Sequence, residues 1–377
     1  MHCTSMCMSA IGLLLLTAGP AAHAGGPPIV STTFETDAGD WRVVNVANQP
    51  TDTAKLSITH DAANVKEGKG SLKFDYVIKK GDVNFIMLPT QPPALAKMKS
   101  LHFWVKTDHS TSMILFVSEK DSGRYKTTFT ATANTWQEVS IGLSDLVLSE
   151  DEGDPKDPDG KLDPDQIEGI ALVDIDCFLT QMLGDNPTFV NLASGPHSLF
   201  VNSFTIDDTA LASATTVPGE KQFTSLLRPQ TEWMLLGDIS VQRTEEKPLT
   251  GPSMKVSYTQ AQGKVFALLK QIPIGSFAGV TRIDFSAASK IPVSLMVQVE
   301  DTKGNKFNST VMVPGNAQAN DYTLKIADFA VANDSKDPAA KLDLSLVKQL
   351  IVMDVSGFGA VEEKANTLWI NKLRAIK

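Results

Sequence analysis

The chain has 377 residues, of which 42% are hydrophobic and 20% charged, and a formal net charge of -9 at pH 7. That length exceeds one ordinary core and points to two domains of about 100 to 200 residues each. The acidic balance and the lack of any Lys/Arg run disfavour a nucleic-acid partner, which recruits clustered cations, and no apolar stretch beyond the N-terminus reaches the roughly 20 residues that span a bilayer.

Residues 1–24 read as a signal peptide: a short apolar core, "IGLLLLTA", is followed by Ala22, His23 and Ala24 as an A-x-A cleavage site. The expected location is therefore exported, periplasmic or extracellular, with no integral membrane segment. Cys3 and Cys7 leave with the signal, so Cys177 remains alone and no intrachain disulfide forms. Between Asp176 and Phe178 it reads as a small buried hydrophobe.

Past the signal the hydrophobic period is two. "SLKFDYVI" at 71–78 sets Leu72, Phe74, Tyr76 and Ile78 on one face, and "SLMVQVE" at 294–300 alternates in the same way. Gly, Pro, Asn and Asp interrupt these runs at short spacing, which favours an all-β sandwich over a βαβ layout. The chain also repeats itself. "KDPDGKLD" (156–163) returns as "KDPAAKLD" (336–343), "GSLKFDY" as "PSMKVSY", and "LVDIDCF" as "VMDVSGF". The expected layout is a first β-sandwich at 31–208, a small polar linker at 209–221 and a divergent second sandwich at 222–377. Turn chemistry explains the KDP motif. Asp163 and Asp343 stand where a side chain caps a short helical turn, Pro164 suits its first position, and Leu162 and Leu342 tuck inward.

Catalytic signatures are missing: there is no G-x-S-x-G, H-E-x-x-H, P-loop or strand-linked G-x-G-x-x-G, so the expectation is a non-enzyme. His60, His102, His109 and His197 show no metal-ligand spacing and read as surface or loop residues. The acidic loop before the second motif strand fails the EF-hand template, since Gly160 as the invariant glycine puts Pro155 first and Gln166 twelfth. A solvated loop is favoured there, with weak calcium binding by Asp157 and Asp159 as the alternative.

Comparing strand faces between the copies gives a ligand site. Leu101, Phe103 and Val105 align with Ile283, Phe285 and Ala287 as core, which turns His102, Trp104 and Lys106 outward against Asp284 and Ser286. Leu115 and Val117 are aligned with Leu295 and Val297, turning Phe116 outward against Met296. The expected site is an outer sheet carrying Trp104 and Phe116, with His102, Arg124, Lys126, Asp174 and Asp176 as polar neighbours. The competing reading covers Trp104 with a loop or with the second copy.

"FETDAGDW", "GKGSLKFDY", "LHFWVKTD", "DSGRYKTTF" and "NTWQEVSIGLSDL" together resemble jelly-roll domains of the galactose-binding-like group, namely family 11 carbohydrate-binding modules and the complex I intermediate-associated protein 30 domain. The resemblance covers nearly all of the first copy and less of the second. It implies two tandem jelly-roll β-sandwiches and a secreted, non-catalytic carbohydrate-binding protein. The alternative is a protein-interaction or assembly factor using the same patch. It also implies a structural calcium for which Glu35 matches an early ligand, while Asn202 and Ser203 stand where a late acid is usual and Asn371 and Lys372 do so in copy two. No other cofactor is expected.

Overall fold

The computed structural model describes residues 27–46, 52–120, 123–149, 154–155, 157–183, 192–211, 220–222, 233–237 and 239–377. The signal segment, residues 212–219 of the linker, Lys156 of the repeated motif and residues 150–153 of the acidic loop lie outside the described residues.

Two β-sandwiches follow one another. The first contains β1 (Val30–Thr32), β2 (Arg42–Asn45), β3 (Ala54–Thr59), β4 (Ser71–Ile78), β5 (Asn84–Pro89), β6 (Ser100–Thr107) and β7 (Thr111–Glu119). It continues with β8 (Arg124–Ala131), β9 (Gln137–Gly142), β10 (Val147–Leu148), β11 (Ile167–Asp174), helix α1 (Ile175–Leu183) and β12 (Gly195–Asp207). One of its sheets runs β3-β4-β12-β6-β9 with β1 against β12, and the other β10-β8-β7-β11-β5-β2.

The second sandwich comprises β13 (Glu220–Gln222), β14 (Met234–Leu236), β15 (Ile239–Thr244), β16 (Ser253–Gln260), β17 (Phe266–Gln271) and β18 (Arg282–Ser289). Then come β19 (Val293–Asp301), β20 (Lys306–Val313), β21 (Asn320–Lys325), β22 (Ala330–Val331), β23 (Val347–Asp354) and β24 (Lys364–Ile376). Its sheets run β15-β16-β24-β18-β21, with β13 against β24, and β14-β17-β23-β19-β20-β22. From β4 and β16 onward the two halves share one strand order, an all-β tandem jelly roll.

The alternation in sequence is the cause of the layers. In β4, Leu72, Phe74, Tyr76 and Ile78 are buried between the sheets while Lys73, Asp75 and Val77 face out. β6 and β18 bury Leu101, Phe103 and Val105 and their counterparts Ile283, Phe285 and Ala287. Each sandwich has its own main hydrophobic cluster, and each large side chain taken from water contributes about 1.5 to 3 kcal/mol. The halves also touch. The Leu235 amide of β14 donates to Ser112 Oγ of β7 at 2.6 Å, and Ser112 is buried.

Ladder register corrects one alignment. Asp174 pairs with Met113 and Asp354 with Leu295, so the counterpart of Leu115 is Val297, and that of Phe116 is Gln298 rather than Met296. A shift of two residues keeps the same face inward, which is why the period alone did not betray it. The structure also has a helix the period-two reading lacks: α1 follows β11 directly, where the second copy has only a 3-10 turn at Ser356–Phe358.

The KDP loops are turn chemistry in both copies. Asp157 Oδ1 accepts from the Asp159 amide and Asp337 Oδ1 from the Ala339 amide. Asp343 caps its turn through the Ser345 amide at 3.0 Å, whereas Asp163 makes no side-chain cap and its amide donates to Glu119. Leu162 and Leu342 pack against their cores.

Candidate functional site

The outer face of the β2-β5-β11-β7-β8 layer is an open hollow of about 980 Å³. Directly opposed residues in an antiparallel ladder share a face, so the register fixes its floor. One row runs Lys126, Phe116, Ala171, Met87, Arg42 across five strands. The next runs Arg124, Ser118, Gly169, Pro89. Phe116 lies edge-on to Phe178 of α1, with ring centroids 6.4 Å apart, and the Arg124 guanidinium sits 5.7 Å from the Phe116 ring. Arg124 Nη1 is held by Asp154 at 2.7 Å. Asn45, Lys120 and Glu168 complete the polar rim. The arrangement offers an aromatic platform between hydrogen-bonding groups.

The second sandwich fills the same face. Its matching rows read Asn308, Gln298, Ile351, Leu269, Met234 and Lys306, Glu300, Gln349, Gln271. Where the first copy has Ser118, Gly169 and Ala171, the second has Glu300, Gln349 and Ile351, and Lys348 closes over Glu300 at 3.0 Å. The hollow is therefore made by small residues at the centre of a sheet.

Only part of the site expected from sequence is brought together here. Phe116 and Lys126 share a floor row and Arg124 lies beside them, but Trp104 and His102 belong to β6, in the opposite sheet, and point out of the other side of the sandwich. There the 61–69 loop roofs Trp104. Trp104 Nε1 donates to Glu67 Oε1 at 3.1 Å, Lys66 Nζ lies 4.3 Å from its ring, and Lys106 Nζ donates to the carbonyl of Ala63 at 2.9 Å. His102 is buried against Ser140, 2.8 Å from its hydroxyl. Trp104→Ala should lower stability in a thermal melt by about 1 to 2 kcal/mol, a cation–π contact plus one hydrogen bond.

Asp174 and Asp176 sit at the end of the sandwich, not in the cleft, whose lining includes their neighbours Val173 and Phe178. Asp174 Oδ2 accepts from Tyr76 Oη at 2.5 Å, and Oδ1 accepts from Thr111 Oγ1 at 2.7 Å and the Asp176 amide at 3.0 Å. Burial alone would raise its pKa, but contact with His109 and these donors hold it below the usual carboxylate range. Asp176, buried and beside the Asp174 charge, is pushed up to about 7.

Next to them the fold assembles what the sequence reading dispersed. Asp108 Oδ1 is 2.9 Å from His109 Nδ1 and 3.1 Å from His197 Nδ1. His109 Nε2 lies 2.9 Å from Asp174 Oδ2, an ion-pair distance with an angle too bent for a regular hydrogen bond. Burial opposes charge on His109, yet the carboxylates of Asp108 and Asp174 beside its two ring nitrogens outweigh it and raise its pKa to about 10. Two histidines read as surface or loop residues are thus partners across 88 positions of sequence, joined because β6 ends beside the start of β12.

The residues expected to hold calcium are engaged by protein donors. Glu35 takes the Lys69 amide with both oxygens, at 3.0 and 3.1 Å. The carbonyls of Gly70 and Glu67, the kind of oxygen calcium seeks, accept from Asn202 Nδ2 at 2.7 and 3.2 Å. Asp157 accepts from Tyr125 Oη and Asp159 from the Lys161 amide. None of Glu35, Asp157 and Asp159 belongs to a convergent ligand group among the described residues.

No family model matches the sequence, and no curated protein matches it. Among solved structures, the family 11 carbohydrate-binding module of a cellulosomal cellulase from Clostridium thermocellum is 17% identical, covers 43% of this chain and 96% of its own, and has a TM-score of 0.34. A tandem of two family 22 modules from Paenibacillus barcinonensis is 11% identical over 95% of this chain and 100% of its own, with a TM-score of 0.29. A family 61 module in complex with β-1,4-galactotriose is 12% identical over 46% of this chain and 92% of its own, with a TM-score of 0.28. Values this low say nothing about ligand. Among the described residues no helix is long and apolar enough to cross a membrane.

Proposed function

We propose that the chain is an exported, non-catalytic carbohydrate-binding protein whose ligand lies in the cleft over β2, β5, β11, β7 and β8. The observation that carries this reading is a sheet face opened by Ser118, Gly169 and Ala171, with the Phe116 ring on its floor and Arg42, Arg124 and Asn45 around it. A sugar ring has an apolar C–H face and a hydroxyl rim, and an aromatic ring between hydrogen-bonding groups complements both. Among the described residues Glu168 is the one carboxylate of the lining, whereas glycoside hydrolysis ordinarily uses two.

Calorimetric titration with a panel of soluble polysaccharides tests the reading. Phe116→Ala should weaken binding at least about tenfold, equivalent to about 1.4 kcal/mol. Gly169→Gln, which places in the first sandwich the residue the second carries, should abolish binding and leave the melt close to wild type, since the nearest obstacle to a new Cβ is the flexible Met87 Sδ at 3.3 Å. Binding that survives both changes, or a folded chain that binds no polysaccharide while capturing a protein through the same face, would overturn it.

A further inference from the structure

Asp108, His109 and His197 bring three lone-pair atoms to one point at the end of the first sandwich. Asp108 is oriented for this: Oδ2 accepts the Ser198 amide at 3.0 Å, which turns Oδ1 toward both Nδ1 atoms. The far nitrogens are spoken for. His197 Nε2 lies 3.3 Å from the Ser194 carbonyl, which only accepts, so the tautomer with its proton on Nε2 turns the Nδ1 lone pair toward Asp108. His109 Nε2 faces the Asp174 carboxylate, also an acceptor, and its Nδ1 faces Asp108. The three ligand atoms lie within 4.8 Å of one another. The two rings stand with centroids 4.1 Å apart, and a single divalent ion between them would engage all three donor atoms at once.

We propose that Asp108 Oδ1, His109 Nδ1 and His197 Nδ1 bind a divalent transition metal, zinc foremost, with a fourth position open to solvent beside the half-exposed Asp108. Ligand atoms on a tetrahedral zinc with bonds of 2.0 to 2.1 Å are about 3.3 Å apart, close to the 2.9 and 3.1 Å found here. The outer partners have the form such sites use, a carboxylate behind one imidazole and a main-chain carbonyl behind the other. The triad is also not needed to close the fold. The second sandwich keeps the Tyr258–Asp354 hydrogen bond at 2.8 Å, the counterpart of Tyr76–Asp174, but by register has Lys290, Ile291 and Asn366 in place of the three ligands.

The test is titration of the untagged, chelator-stripped full chain with Zn²⁺ alone. One ion per chain at micromolar or tighter affinity is expected. His197→Asn, the residue the second copy uses, and Asp108→Asn should each weaken binding at least hundredfold while the metal-free melts stay near wild type. Modification of histidines by diethyl pyrocarbonate, which needs no variant, should be suppressed at His197 and His109 by Zn²⁺. No binding at micromolar ion, binding indifferent to both variants, or His197 equally reactive with and without Zn²⁺ would overturn the assignment.

Discussion

Asp174→Ala should cost the first sandwich about 3 to 5 kcal/mol, the range for removing one partner of a buried, hydrogen-bonded ion pair. The carboxylate is 3% exposed and serves the Tyr76 and Thr111 hydroxyls, the Asp176 amide and the His109 ring. Alanine removes the acceptor from all four at once, and the space is too enclosed for water to replace every bond. Asp174→Asn retains an acceptor oxygen and should lose visibly less. The matched change in the second copy, Asp354→Ala, strands Tyr258, Gln260 and the Ser356 amide, and should lower the stability of the second sandwich by a comparable amount. Urea unfolding of the full chain, followed by hydrogen exchange on peptides of each half, reads both. A loss under about 1 kcal/mol at Asp174, the level of a single ordinary hydrogen bond, would show that this carboxylate does not tie the end of the sandwich together.

Gly357→Ala should be nearly as severe, through shape instead of charge. A Cβ at Gly357 would overlap the carbonyl oxygen of Lys264 and stand 2.7 Å from that of Ala261. Both obstacles are main chain in the turn that launches β17, itself joined to the site by the Gly263 amide donating to the Gly357 carbonyl at 2.7 Å. No rotamer change relieves such a contact, so the turn must move, at a cost of about 3 kcal/mol, the upper part of the overpacking range. The first copy accepts a side chain at the matching place: Cys177 is fully buried in α1. Cys177→Ala should accordingly be mild. A Gly357→Ala protein that melts like wild type would mean the 261–264 turn is free to shift.

The architecture was legible because a period of two states which residues face the core, and the repeat states it twice. What the period does not state is which sheet a strand joins. β6 and β7 follow each other in sequence, both turn aromatic residues outward, and yet lie in opposite layers, so Trp104 and Phe116 look away from each other. Membership depends on long-range pairing, β6 with β12 and β7 with β11, which no local pattern encodes. The cleft floor was unreadable for a related reason: Ser118, Gly169 and Ala171 are unremarkable singly and matter only once the ladder aligns them. The His109–His197 pair had one available signal. Both histidines occur in the first copy where the second has Ile291 and Asn366, a difference that the correct register exposes.

The filled face of the second sandwich bears on valency. Two open grooves in tandem would let one polymer engage both at once, and linkage of that kind raises apparent affinity by about 10² to 10⁴ without any new contact. On the proposed function, with Ile351, Gln349 and Glu300 occupying the second floor, a chain would grip a polysaccharide at one point on this surface. It would then exchange along the strand at the off-rate of a single groove, and bridging two strands would require two copies of the protein.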